Sequence, residues 1–284
     1  MIESLSVGTD FKAVPYLPGS SLMKRHKRKL AFSLDKPNVL VGPNGSGKSA
    51  LLRTLSLRFM THYTGVSAFN DQYVSGRGDD TLWYEENSWT SAPQYMRGMN
   101  LVTDNAPSLF YRPYHLPGNE PTVVHAMITG YDKQARAFAK LTERKSSGQQ
   151  SQATLARVVR ALAGEELPTD YILENWSHEK NLRDLRKHRG HVGLYEYRAE
   201  QLKKLFLEGS RAKPLVMMDE PEQSLDALAE AELWSAIAST DCSKVQVIVA
   251  SHSLYPLLHR EQFNLIETQA GFADEVLGLM KNFG

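Results

Sequence analysis

The residues Gly42-Pro43-Asn44-Gly45-Ser46-Gly47-Lys48-Ser49 have the types and spacing that hold a chain of phosphates. They fit the pattern G-x-x-x-x-G-K-[ST]. Glycines let the backbone turn tightly, at positive φ where needed, without side chains in the way. Successive N–H groups then face inward as an anion nest, and the N-terminus of a following helix adds its dipole. Lys48 can neutralise β- and γ-phosphate oxygens, and Ser49 can ligate Mg²⁺. Together with Ala50 this loop is the expected nucleotide site. Asp219-Glu220 form a second chemical pair. Asp219 suits Mg²⁺, directly or through water. Glu220 suits the orientation or deprotonation of an attacking water. His252, between Ser251 and Ser253, can hydrogen-bond a γ-phosphate oxygen and sense its loss.

Each of these groups needs an element to place it. Asn38–Val41 is a short apolar run of the kind that makes a buried parallel strand. The stretch Ser49–Met60 puts Leu51, Leu52, Leu55 and Phe59 on one helical face. Strand, glycine loop and helix is the context the motif requires. Leu215–Met218 reads as a second buried strand and Val245–Ala250 as a third. Carboxylates or a histidine at the C-terminal ends of such strands lie in the crevice where α/β folds bind ligands. Further strands are expected at Ile2–Val7, Leu30–Leu34 and Phe263–Thr268, with a closing helix from Ala273.

The remaining chain is less regular. Short aromatic stretches, Thr81–Tyr84 and Ser108–Tyr111, are separated by turn formers, so 61–120 reads as an antiparallel β-subdomain. Asp79, Asp80, Glu85 and Glu86 make it acidic at a spacing that suits solvated loop better than a metal loop. Residues 121–144 read as helical. A helix through Leu162 follows, with Leu155, Val158 and Val159 at helical spacing and Gly164 as its stop. The turn before that helix, Ser146-Ser147-Gly148-Gln149, is a second possible anion site. Residues 165–213 form a basic, helical insertion in which Lys and Arg outnumber Asp and Glu between Lys180 and Lys213. This segment and the run Lys24–Lys29 are either solvated faces or contacts for nucleic acid or an acidic partner. Tyr16 can pack in its loop or stack on a base.

At 284 residues the chain is long enough for one large α/β domain, or one domain plus an insertion, and a net charge of +1 leaves no global field that demands a nucleic-acid or membrane partner. One cysteine, Cys242, excludes an internal disulfide framework and suits a reducing cytosol. The first residues lack the pattern of a secretory signal, and no apolar run is long enough to span a membrane.

Taken in order, these motifs resemble those of the ABC-class ATPases, in their soluble RecF/SMC-like branch. The set is the P-loop Gly42–Ser49, the signature-like Ser146–Gln149, the Walker B run Leu215–Glu220, Ser224-Leu225-Asp226, and His252. The family signature reads Leu-Ser-Gly-Gly-Gln; here Lys145 and Ser147 stand at its first and third places. The resemblance implies one α/β ATPase domain over residues 1–284, ATP and Mg²⁺ as ligands, and a cytoplasmic ATPase. In that scheme Glu220, His252 and Lys48 are catalytic, Ser49 and Asp219 serve the metal, and Asp226 takes the D-loop position. Two copies would pack head to tail, each ATP lying between one P-loop and the partner's Ser146–Gln149. The family's glutamine loop is not assigned: Gln72 and Gln94 follow no convincing strand, whereas Ser108–Tyr111 leads into Arg112-Pro113. The form Asp219-Glu220-Pro221-Glu222 and the basic insertion favour a DNA-linked repair, mobile-element or defence system. A nucleotide-binding subunit of a membrane transporter and a slow-turnover regulatory module controlling a separate effector are the alternatives.

Overall fold

The computed structural model describes residues 1–11, 14–59, 62–63, 98–104, 108–113, 155–156, 158–164, 213–223 and 225–282. These build two sheets. The larger is all parallel, in the order β4 (His62–Tyr63), β6 (Ser108–Tyr111), β7 (Leu215–Asp219), β8 (Gln246–Ala250), β3 (Asn38–Val41), β9 (Asn264–Glu267). The smaller is antiparallel, with β1 (Ile2–Val7) between β2 (Lys29–Ala31) and β5 (Met99–Thr103).

Every residue of β3, β6, β7 and β8 is buried, which is why their sequences read as unbroken apolar runs. Helix α2 (Lys48–Phe59) packs against β6, β7 and β8. The opposite face meets Val158, Ala161 and Leu162 of a helical segment, then α3 (Ala227–Ala238), α4 (Tyr255–Leu258) and α5 (Phe272–Lys281). There Trp234 of α3 stacks on Tyr255 at 6.3 Å and meets Phe263 edge-on at 5.7 Å. The result is a sheet covered by helices on both sides, an α/β architecture.

Polar side chains tie the strand starts together. Asn38, fully buried, accepts from Ser33 N at 2.7 Å and Asn264 Nδ2 at 2.8 Å, and donates to Val247 O at 3.2 Å. Gln246 grips β1 like an added peptide group: Ile2 N donates to its Oε1 at 2.6 Å, and its Nε2 donates to Ile2 O at 2.7 Å.

The strands at Ile2–Val7, Asn38–Val41 and Leu215–Asp219 lie where the apolar runs put them, and Gly164, at φ +73°, ends its helix. The expected strand at Leu30–Leu34 is shorter and earlier, Lys29–Ala31. The reading of 61–120 needs correction. Met99–Thr103 is antiparallel, but to β1 near the N-terminus, while β4 and β6 are parallel strands of the main sheet. Aromatic β-formers read the same in either sheet, because propensity reports a half-buried pleat and not a partner. Residues 64–97, 114–154, 165–212 and 224 lie outside the described residues. With them lie Gln72, Gln94, the acids of 79–86, the helix expected at 121–144, the signature-like Ser146–Gln149, Ser224 and nearly all of the basic insertion. Lys213 is described and donates to Cys242 O at 3.0 Å. Among the described residues no helix is long and apolar enough to cross a membrane.

Candidate nucleotide site

The register of the main sheet lines up the strand ends. Asp219 pairs with Ala250, Ala250 neighbours Leu40, and Leu40 neighbours Ile266. Strand β8 therefore brings His252 between the acids that end β7 and the loop that leaves β3. After β3 the chain builds one side of the sheet, then β9 crosses to the other side of β3. That is the switch point where open α/β sheets form their ligand crevice.

The loop Gly42–Gly47 is wound tightly. Gly42, Gly45 and Gly47 have φ of 149°, 71° and 107°. At two of them a side chain has no room: a Cβ on Gly42 would stand 1.7 Å from Thr268 Oγ1, and one on Gly47 would stand 2.6 Å from Ser20 Oγ. Ser20 belongs to the turn that opens α1 (Ser21–Arg25), capping it by accepting from Met23 N at 3.2 Å. Leu22 N donates to Ser46 O at 3.0 Å, so α1 braces the loop from outside.

A cavity of about 390 Å³ opens over this loop. Its walls are Tyr16, Gly19, Ser20, Asn44, Gly45, Ser46, Gly47, Lys48, Ser49, Ala50, Glu220 and His252. The size is that of an ordinary small-ligand pocket, commonly about 300–1,000 Å³. Tyr16 is half exposed at the rim and its hydroxyl accepts from Arg53 on α2 at 3.3 Å. Ser46 Oγ is buried with no hydrogen-bond partner among the described residues, an unused polar group in the loop wall.

Lys48 is buried and folds back on its own loop, donating to Gly42 O at 2.9 Å and Pro43 O at 3.0 Å. Burial pulls its ammonium below the usual lysine value; Glu220, Asp219 and Glu222 pull the other way. Asp219 lies behind the wall, 1% exposed, its Oδ1 accepting from Ser49 Oγ at 2.8 Å. Burial raises its carboxyl, against the opposing charge of Arg112 and the Ser49 hydrogen bond. Glu220 sits at φ +48°, a strained conformation for a non-glycine residue, of the sort that concentrates at functional sites. Its Oε1 is 3.4 Å from His252 Nε2. Burial, then the nearby Lys48 ammonium, lowers the His252 pKa, with Glu220 opposing. The imidazole at neutral pH is thus uncharged and able to donate one ring N–H.

The donor set suits Mg²⁺. No group of three or more His, Cys, Asp or Glu side chains gathers around one point among the described residues. Ser49 and Asp219 offer two converging oxygens, which is enough for an ion that keeps water and takes phosphate oxygens for its remaining places.

Of the expected site residues, Asn44 to Ala50, Glu220 and His252 meet in one cavity, with Asp219 directly behind Ser49 and the carbonyls of Gly42 and Pro43 on Lys48. Asp226 does not join them. It is exposed and caps α3, accepting from Ala229 N at 2.9 Å, which accounts for an Asp at that position.

Two residues of the site were without a role in the sequence reading. Glu222 Oε1 accepts from Ser251 Oγ at 2.7 Å and from His252 N at 2.8 Å, so it clamps the backbone that carries His252. Burial raises its carboxyl, against these hydrogen bonds. Arg112, next after β6, puts Nε 3.4 Å from Asp219 Oδ2. Its place after an apolar strand was the only sequence signal. Comparison of the chain with protein-family models, curated proteins and solved structures gave no match.

Proposed function

We propose that the chain is a Mg²⁺-dependent ATPase of the ABC class, in its soluble RecF/SMC-like branch, working as a nucleotide-gated dimeric switch. The observation that carries this reading is the convergence of Lys48, Ser49, Glu220 and His252, with Asp219 behind them, from three adjacent parallel strands at one cavity. A phosphate-cradling loop alone would support binding. An acid and a neutral histidine facing that loop support turnover as well.

The residues divide the work. The N–H groups of Gly45 to Ser49 and the Lys48 ammonium, released from Gly42 and Pro43, bind the phosphates. Ser46 Oγ is a further donor. Ser49 and Asp219 would hold Mg²⁺, which supplies charge neutralisation across the β- and γ-phosphates. Glu220 takes a proton from water as its oxygen bonds to the γ-phosphorus. The bond from that phosphorus to the β–γ bridging oxygen breaks, leaving ADP and inorganic phosphate. His252 donates its ring N–H to a γ-oxygen, with Glu222 fixing its backbone.

The dimer, with Ser146, Ser147, Gly148 and Gln149 of a second copy completing the site, belongs to the same proposal. So does a DNA-linked role. Lys24, Lys27, Arg28 and Lys29 are exposed, while the neighbouring Arg25 is tied to Glu267 at 3.0 Å. The test is binding of a fluorescent ATP analogue together with phosphate release. Lys48→Ala should weaken binding about 10- to 100-fold, the range for charge-assisted hydrogen bonds. Glu220→Gln should keep binding and slow hydrolysis about 100-fold or more. Full hydrolysis by either variant sinks the assignment, and DNA-stimulated turnover would support the DNA-linked role.

A further inference from the structure

We infer that Arg112 is a tethered counter-ion for Asp219, and that a divalent cation must displace it to enter the site. This rests on the reading of the cavity as a nucleotide–metal site. The register sets the contact: Tyr111 pairs with Met218, so the next residues, Arg112 and Asp219, stand side by side where β6 and β7 end. The two Asp219 oxygens are both engaged, Oδ1 by Ser49 Oγ at 2.8 Å and Oδ2 by Arg112 Nε at 3.4 Å. A carboxylate buried to 1% exposure needs a nearby positive charge. Lys48 is committed to the carbonyls of Gly42 and Pro43, so among the described residues Arg112 is the cation in contact with Asp219.

The arginine is built to let go. Its side chain is 36% exposed, so the guanidinium can swing into solvent without losing hydration. Its backbone is held between the buried Tyr111 and the buried Pro113, and a following proline keeps it extended. The stem stays at the strand end while the head group exchanges. Arg112 thus neutralises Asp219 when no metal is present and sets the cation concentration at which the metal takes over.

The test is a Mg²⁺ titration of fluorescent ATP-analogue binding, beginning in excess chelator, on the full chain. Arg112→Gln and Arg112→Met both remove the charge and are read in parallel, so a folding defect in one leaves the other. Each should lower the half-maximal Mg²⁺ concentration about three- to tenfold, as expected for losing one partly exposed, charge-assisted competitor. Arg112→Lys should stay within about twofold of the native chain because it keeps the charge. An unchanged or raised midpoint in the charge-free variants overturns the inference while leaving the nucleotide site intact. So does a lowered midpoint in Arg112→Lys. A native chain that binds no analogue with or without Mg²⁺ overturns the nucleotide reading, and the inference with it.

Discussion

His252 and Glu222 show how single side chains are set. Glu222 holds the His252 N–H at 2.8 Å, while burial and the Lys48 ammonium hold the imidazole below its ordinary pKa. The unfolded chain therefore binds a proton at this histidine at higher pH than the folded chain does. Above the ordinary histidine value both states are neutral and nothing is lost. As pH falls through that value toward the lower folded one, the unfolded state gains protons first and stability drops. Asp219 and Glu222, with raised carboxyls, work in the opposite sense: acidification relieves their burial. Comparison of variants separates the two. The urea midpoint of His252→Gln should fall less than that of the native chain between about pH 7.5 and about pH 5. An equal fall in both would show that His252 is not depressed by its surroundings.

At the scale of elements, the strand ends are positioned by side chains that imitate the backbone. Gln246 satisfies both peptide groups of Ile2, at 2.6 and 2.7 Å, and so fastens the antiparallel sheet to the start of β8. Ile2 is fully buried and Gln246 is 3% exposed, so neither Ile2 group would find water if the amide were lost. Gln246→Leu keeps the bulk and removes the partners. It should destabilise the fold by about 2–5 kcal/mol, the cost of two orphaned buried peptide groups. Chemical denaturation at constant m-value measures this; a loss within error would mean that the smaller sheet is docked by apolar contact alone. The same logic explains why β6 was legible as a strand but not as a neighbour of β7. Four buried residues, Ser108 to Tyr111, carry no mark of which strand they pair with.

For the whole molecule, the cavity opens at the C-terminal ends of β3, β7 and β8, and Leu254, shortly after the end of β8, is exposed. An opening of this kind can be closed by a second copy, which would turn bound nucleotide into part of an interface. Glu220→Gln, if it binds ATP without splitting it, should sediment as a dimer with ATP and Mg²⁺ and as a monomer without them. A monomer under both conditions would remove the dimeric switch and leave the binding site standing.

The sequence by itself determined what is local. Glycines at Gly42, Gly45 and Gly47 specify a loop that only residues tolerant of positive φ can make. Unbroken apolar runs specify strands buried on both faces, and the residues just after them specify which side chains reach the crevice. The tertiary structure alone decided the order β7-β8-β3 that gathers those ends, the Arg112 contact with Asp219, the Glu222 clamp on His252 and the Gln246 link to Ile2. The reason is physical. Backbone conformation and burial leave a periodic trace in neighbouring residues. Pairing across 100 or more positions, as between Ile2 and Gln246, 244 positions apart, is chosen by the energy of the assembled sheet and core and leaves no such trace.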